Sequence, residues 1–455
     1  MAARIRSMAT VLLALALLVT GCSRGGSENA GTTAGPGDFG DLKGICHPGK
    51  ATGAPAQGVT AGQIRVGVFT DAGFTKDPEF VDTAKVFTSW CNAHGGIGGR
   101  ELVADIHDAK LMEVRQRMLD ACRDDFALVA GSAALDGLGV KDRLSCLLPD
   151  FPAQVDQVQN SGSDLQVGGG ANAAGLYDSY TGFHQWLFKE RYPSSANAIG
   201  LINGDTPITR VIGQEFAEAL PVEGAKIVYN DLYPAMGVPD WTPYAQAIKE
   251  KNVKGLIFLG DFRSLAKLED VLSGMDYRLD WIDSNSNSYT SAFLQLAGAS
   301  LSAQHNYASL GSTAPLESAS TVPVIQQAKA MFAQYAPGED LTFPALRALS
   351  QWALFAKAAG SCGDALTRKC VYQAAIAEHA WTGGGLLAPA DLAPASTVVQ
   401  NCFNVVEATP QGWRIPDFAP DHGLFRCDIG PYRFTGDYGR PMTLADVGKS
   451  MSDFR

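Results

Sequence analysis

The sequence predicts an α/β protein of two lobes, each a parallel sheet with helices on both faces. Three observations carry this. Short apolar runs of strand character alternate with segments of helical period, the pattern of parallel sheets wrapped by helices. The alternation comes as two separate series, at residues 64–153 and 198–282. A chain of 455 residues is also too long for one ordinary core and suits two or three.

The chain opens on a segment of another kind. Arg4 and Arg6 precede an apolar run from Val11 to Val19, followed by Thr20-Gly21-Cys22. A basic start, a short apolar run and small residues before a cut site make a secretory signal. The run is well short of the ~20 residues needed to span a bilayer. Val19 to Cys22 resembles a bacterial lipoprotein signal, which implies cleavage before Cys22, acylation of its thiol, and a protein tethered by lipid outside the cytoplasm. Residues 1–21 are thus expected to be signal peptide. Residues 22–60, rich in Gly, Ser, Thr, Ala and Pro, are expected to be a flexible tether pinned at Cys46. No later apolar run approaches spanning length. The net charge of −11 argues against a nucleic-acid surface.

Beyond the tether, Ile64–Phe69 reads as the first strand. Asp77 offers an N-cap with Pro78 behind it, and Phe80, Ala84, Phe87, Trp90 and Cys91 follow helical spacing. Gly95-Gly96 stops that helix. Strands at 102–106 and 126–130, helices at 112–123 and 137–147, and a lead into a fourth strand at 148–153 complete the first series. The second has strands at 198–202, 226–229, 255–259 and 281–282, with helices at 207–220, 242–251 and 264–272. Residues 323–380 are mostly helical. A Gly/Pro/Ala-rich stretch, 382–396, then leads to a hairpin around Pro410-Gln411-Gly412.

With Cys22 reserved for lipid, eight of the nine cysteines remain. An even number in an exported chain reads as disulfides, and no CxxC pair or Cys/His cluster supports zinc. Cys362–Cys370 and Cys402–Cys427 are close in sequence. If the first lobe has strand order 2-1-3-4, right-handed crossovers put its first two helices on opposite faces. The sheet then separates Cys91 from Cys122. Cys122–Cys146 is feasible, and Cys91 is left for Cys46.

Several motifs carry a family resemblance. Thr70-Asp71-Ala72-Gly73 follows the first strand. Asn92-Ala93-His94-Gly95-Gly96-Ile97-Gly98-Gly99-Arg100 has the form N-x-x-G-G-I-x-G-R, and Asp108-Ala109 follows the second strand. Asp240-Trp241-Thr242-Pro243-Tyr244 opens a helix of the second series, and Gly255–Gly260 the strand after it. Together these resemble the branched-chain amino-acid (leucine-binding-like) substrate-binding proteins of ABC transporters, over residues 62–360. The resemblance implies a type I periplasmic-binding fold: two Rossmann-like lobes, a ligand cleft, crossovers near residues 170, 305 and 385, and no catalysis. Lobe 1 is then expected at 61–170 plus 306–385, and lobe 2 at 171–305 plus 386–455 with the hairpin.

The chain also departs from the leucine-type pattern. Where those members have Pro-Ala-x-Thr after the fourth strand, this chain has Pro152-Ala153-Gln154-Val155, without the hydroxyl. The acidic residue that holds the ligand ammonium falls near Ser284 or Asn285, with a carboxylate only at Asp283.

Open parallel sheets bind ligands beyond the carboxyl ends of their strands, where helix N-termini offer free N–H groups. That rule selects Thr70, Asp71, Phe74, Ser132, Asp136 and Gln154 in lobe 1, and Asn203, Asp205, Asp261, Phe262, Asp283 and Asn285 in lobe 2. Ala153 joins them through the resemblance. Asp136 and Asp205 also have the position of N-caps. Asp261 and Asp283 follow apolar strands without being obvious caps, so one is expected to meet a ligand cation or hydroxyl.

Enzyme motifs are missing: there is no G-x-S-x-G elbow and no phosphate loop. The Gly95–Gly99 run follows a helix instead of a strand, so it reads as a tight turn. Asp105, His107 and Asp108 sit too close on a strand end to converge on a metal. Neither metal nor cofactor is expected. The reading is a lipid-anchored receptor that captures a small polar ligand, an amino acid or a relative, and presents it to an ABC permease. The alternatives are a sensor or envelope-binding lipoprotein of the same fold without transport, and an extracytoplasmic enzyme.

Overall fold

The computed structural model describes residues 35–168, 176–394 and 400–454. The expected signal sequence, the Cys22 lipid site and the crossover near residue 170 lie outside these residues. Among the described residues no helix is long and apolar enough to cross a membrane.

In lobe 1, β1 (Gln63–Thr70), β2 (Glu101–Asp108), β3 (Leu128–Val129) and β4 (Asp150–Phe151) form one parallel sheet in the order β2-β1-β3-β4. Helices Glu79–Ala93 and Phe343–Cys362 cover one face and Val114–Asp124 the other, where the Val140–Ser145 helix joins it through Cys146 while its Val140 and Leu144 reach the first core. Trp352 stacks on Phe87 at 5.5 Å and Phe355 meets Phe151 edge-on at 5.6 Å. Such pairs contribute about 0.5–1.5 kcal/mol each beyond burial, and they bind the distant Phe343–Cys362 helix into this lobe. The first helix begins at Glu79 with Pro78 as its N-cap, so Asp77 does not cap it. The glycine run after it is a turn: Gly95, Gly96, Gly98 and Gly99 all have positive φ, and a Cβ on Gly96 would collide with the Arg100 carbonyl.

Four disulfides join Cys46–Cys91, Cys122–Cys146, Cys362–Cys370 and Cys402–Cys427. The strand order explains the first two. Cys91 belongs to the core on one face of the sheet, and Cys122 and Cys146 pack at the core on the other.

In lobe 2, β5 (Tyr177–Asp178) is followed by β6 (Ile199–Asp205), β7 (Ile227–Pro234), β8 (Gly255–Leu259), β9 (Trp281–Asp283), β10 (Asn306–Ser309), β11 (Val405–Thr409) and β12 (Gly412–Arg414). The seven from β6 to β12 form a sheet ordered β12-β11-β10-β9-β8-β6-β7. It is parallel from β7 to β10 and antiparallel in the terminal hairpin. β13 (Tyr432–Arg433) pairs antiparallel with β5.

Three expected boundaries move. Residues 35–60 are no loose tether: Phe39 and Cys46 are fully buried in the lobe 1 core with Ile45 and Val59, and the Gln327 side chain hydrogen-bonds to the backbone of Asp38 and Gly40. A few apolar residues and one disulfide suffice to fix a Gly/Pro-rich segment. The return to lobe 1 does not begin at 306, because β10 is a strand of the lobe 2 sheet. Its sequence hides this: Asn306 and Ser309 are polar, and Asn306 is buried by bonding Glu269 at 3.0 Å. Residues 386–455 do not all join lobe 2 either. Leu386, Ala388, Leu392, Leu444 and Phe454 belong to the lobe 1 core.

The passages between the lobes at 310–314, 386–388 and 403–404 run beside each other and share hydrogen bonds. Ala314 N–H donates to Leu386, Ala388 N–H to Ser312, Leu310 N–H to Asn404, and Asn404 N–H to Gly311. Asn404 is fully buried, and its side-chain amide also donates to the Thr313 carbonyl.

The C-terminal segment crosses between lobes again. On lobe 2, Glu218 accepts hydrogen bonds from Thr435 N–H (2.6 Å), the Thr435 hydroxyl (2.9 Å), Gly436 N–H (3.0 Å), and the Tyr432 and Tyr438 hydroxyls (3.0 and 2.7 Å). These donors, led by the Thr435 N–H, hold its carboxyl down at about 2. On lobe 1, Leu444 N–H donates to Asp164 at 2.6 Å, and Phe454 meets Tyr372 edge-on at 5.6 Å. Glu218→Ala is expected to expose the segment after Ile429 to limited proteolysis at neutral pH, read by mass spectrometry; a cleavage pattern like that of the unaltered protein would contradict this anchor.

Candidate functional site

The carboxyl ends of the lobe 1 strands carry a connected polar rim. Asp71, just past β1, accepts from Leu111 N–H at 2.6 Å and Ala134 N–H at 2.7 Å, so one carboxylate clamps the loops after β2 and β3. The Thr70 hydroxyl accepts from Ala72 N–H at 3.1 Å. Ser132 and Gln154 meet at a residue the sequence reading passed over. The Ser132 hydroxyl donates to Asp156 at 3.0 Å, and the Gln154 amide donates to it at 2.8 Å. Asp136 holds the same loop from the other side, accepting from Asp156 N–H, Gln157 N–H and the Asn160 amide. Ala153 is buried and its N–H donates to Gly131. Phe74 stands 55% exposed. Beneath this rim lies a cavity of about 30 Å³, room for a water or two, lined by Ser132, Asp136, Gln154 and the buried Arg143 and Asp150.

The lobe 2 residues are more dispersed. Asp205 pairs with Arg210. Asp261 is the N-cap of helix Phe262–Gly274, accepting from Ser264 N–H at 3.2 Å, and it also pairs with Arg263 at 3.2 Å. It is thus a cap after all, because the helix starts two residues earlier than its apolar period suggests. Phe262 packs edge-on to Phe293 at 6.5 Å, under Arg263. Asn203 is buried. Asn285 has a φ of 54° and donates to the Phe258 and Gly260 carbonyls.

Asp283 is fully buried and bonds His184 Nε2 at 3.0 Å and Asn285 N–H at 3.0 Å. Burial works against the His184 charge. The Asp283 hydrogen bond and charge, with Asp178 and Glu223, outweigh it and raise the imidazole above its usual range.

The strand-end rule does not reach two further polar side chains near the junction of the lobes, where Phe343 packs edge-on to Tyr289 at 6.0 Å. Arg347 lies on the Phe343–Cys362 helix of lobe 1, and Tyr180 follows β5 of lobe 2. Each is within electrostatic reach of the other, and Asp156 acts on Arg347 while Asp283 acts on Tyr180. Burial is the main reason the Tyr180 hydroxyl is pushed up to about 12. The available signal for Arg347 was its isolation: it is the sole charge between Phe343 and Ala356.

Two groups have the donor types of a metal site. Asp421, His422 and Cys427 fail because Cys427 is in a disulfide. Asp105, His107 and Asp125 bring their atoms within 4.8 Å. There His107 is spent on Asp125 at 2.6 Å and Asp105 on Arg65 at 3.1 Å, so the group reads as paired side chains within the lobe.

A family model for periplasmic binding protein matches residues 173–412, more than half of the chain. The chain belongs to the periplasmic binding protein family. Solved structures of similar fold include a fatty acid ABC transporter substrate-binding protein from Thermomonospora curvata (TM-score 0.64, 13% identity, covering 85% of this chain and 97% of that one). A substrate-binding periplasmic protein from Ralstonia solanacearum has TM-score 0.62 at 17% identity, covering 78% and 100%. The branched-chain amino acid transporter substrate-binding protein LivJ from Streptococcus pneumoniae, in complex with isoleucine, has TM-score 0.60 at 16% identity, covering 76% and 96%. No curated protein matches the sequence. As a periplasmic binding protein, the chain has a type I fold of two α/β lobes, and its polar strand ends form the rims described above.

Burial gives this protein a pH signature. It is the main cause that lifts Asp136, Glu215 and Glu223 to about 7 and Glu269 to about 8. Between their ordinary values and these, the folded chain holds protons that the unfolded chain releases, so stability falls as pH rises. The raised His184 acts in the same sense, its stabilising charge being lost as pH climbs past 6.5 through the folded value. Thermal melts are expected to show a falling midpoint from about pH 5 to about pH 8; a midpoint that rises over that window would contradict the assignment.

Proposed function

We propose that the chain is an extracytoplasmic solute-binding protein. It captures a small polar ligand, an amino acid or a related acid, between its lobes and delivers it to an ABC importer. Acylated Cys22 would hold it to the membrane. The observation that carries this reading is that the helix bearing Arg347 meets lobe 2 at its start, where Phe343 packs edge-on to Tyr289 at 6.0 Å, which sets polar side chains of both lobes at one junction. A ligand touching both sets favours the closed form, and the passages between lobes are where such proteins bend. The similar fold of binding proteins for fatty acids and for isoleucine supports the same reading. The proposed ligand-contacting residues from the sequence reading keep unequal standing. Ser132 and Gln154 meet at Asp156 near the cleft, whereas Asp205 and Asp261 are engaged with Arg210 and Arg263.

A thermal-shift screen against amino acids, organic acids, amides, sugars and polyamines tests the reading. A ligand at ~100 times its dissociation constant stabilises the folded form by about 2.7 kcal/mol. One responding chemical class is the expected result; no response from any class would contradict solute capture.

A further inference from the structure

Arg347 is conspicuous for the partners it lacks. Its guanidinium lies 4.4 Å from the centre of the Phe343 ring, and among the described residues it makes no hydrogen bond and no ion pair. The arginines buried within the lobes each have several partners. Arg143 donates to the Leu148 carbonyl, the Ser163 hydroxyl and the Asp164 carbonyl. Arg100 donates to the carbonyls of Thr60, Gly53 and Gly363. Arg426 grips Glu190 through two bonds of 2.7 and 2.8 Å. Arg347 is only half-buried and its unpaired guanidinium nitrogens stay open to solvent, so an incoming anion can reach the cation there. Burial does weaken its hold on the proton, with Tyr180 and Asp156 opposing that effect.

The carboxylates around the cleft are the reverse case. Asp71 is taken by two backbone N–H groups, Asp136 by two N–H groups and Asn160, and Asp156 by Ser132 and Gln154. Asp283 is taken by His184 and Asn285, Asp261 by Ser264 and Arg263, and Asp205 by Arg210. Asp178 keeps one carboxylate oxygen without a partner, but that atom is shut off from solvent. The anions therefore offer little to a ligand ammonium, while the Arg347 cation is unspent. A planar guanidinium suits a carboxylate, which it can meet through two parallel bonds. A phosphate dianion would need more positive charge than this, given Asp156 alongside.

Resting on the solute-binding reading above, we propose that Arg347 is the ligand's anchor, joined by the Tyr180 hydroxyl when the lobes close, and that the ligand is an organic carboxylate without an ammonium group. Lobe 1 supplies the cation and lobe 2 the hydroxyl, so the carboxylate itself draws the lobes together. Arg347 thereby sets specificity.

Calorimetry on the whole protein tests this with octanoate, phenylacetate and 3-methylpentanoate, with the amide of each, and with isoleucine, the zwitterionic counterpart of 3-methylpentanoate. The expected result is that at least one acid binds, that its amide does not, and that isoleucine binds less tightly than 3-methylpentanoate. Arg347→Gln is expected to weaken the acid by roughly 10- to 100-fold, the loss of a hydrogen-bonded charged pair. Arg347→Lys is expected to retain part of the affinity, and it decides the matter if the glutamine variant does not fold. Equal binding of acid and amide, a preference for isoleucine, or unchanged affinity in both variants would overturn the proposal while leaving solute capture standing. Failure of these acids when a sugar, amide or polyamine stabilises the protein would do the same. Failure of every ligand class would overturn both.

Discussion

The two-lobe architecture depends on the paired passages at 310–314, 386–388 and 403–404. Their backbone groups bond each other across the junction, and buried Asn404 adds a side-chain bond to Thr313. Buried backbone groups cannot be left unpaired without cost. The junction therefore keeps its ladder, and relative motion of the lobes is confined to rotation about it. Gly311, with positive φ and open space around its Cβ position, supplies a backbone position that tolerates such rotation. The C-terminal segment adds a further link, from Glu218 on lobe 2 to Asp164 on lobe 1. A periplasmic binding protein built this way has a limited range of opening, set by how far that segment can follow.

Around this junction the charges are arranged economically. The acidic side chains at the strand ends tie loops and caps in place, so the rims are rigid before any ligand arrives. Asp71 shows how: a single buried carboxylate fixes two neighbouring loops through their N–H groups. The disulfides and the packed segment around Phe39 stiffen lobe 1 from the far side of the sheet. Rigid rims lower the ordering that binding requires. They also leave Arg347 as the group whose charge a ligand can complete.

The fold was largely legible in the sequence, because parallel strands buried on both faces leave unbroken apolar runs. Strand order in lobe 1 followed from handedness, and with it the separation of Cys91 from Cys122. What escaped was polar or remote. β10 carries Asn306 and Ser309 where an apolar run would have announced a strand. The ordered stretch at 35–60 was masked by its Gly and Pro content, although Phe39 and Ile45 hold it down. The strand-end rule selected Ser132 and Gln154 but passed over Asp156, to which both donate. It does not reach Arg347 or Tyr180, which tertiary packing brings within electrostatic reach of each other from a helix far along the chain and from the start of lobe 2.

The central claim is that ligand capture closes the lobes about the paired passages. Energy transfer between labels on exposed Lys85 of lobe 1 and Lys249 of lobe 2, placed without using cysteine, measures this directly. For a ligand already shown by calorimetry to bind, the account predicts a saturable change in the interlobe distance that follows the binding isotherm. A ligand that binds and leaves that distance and its distribution unchanged would contradict it.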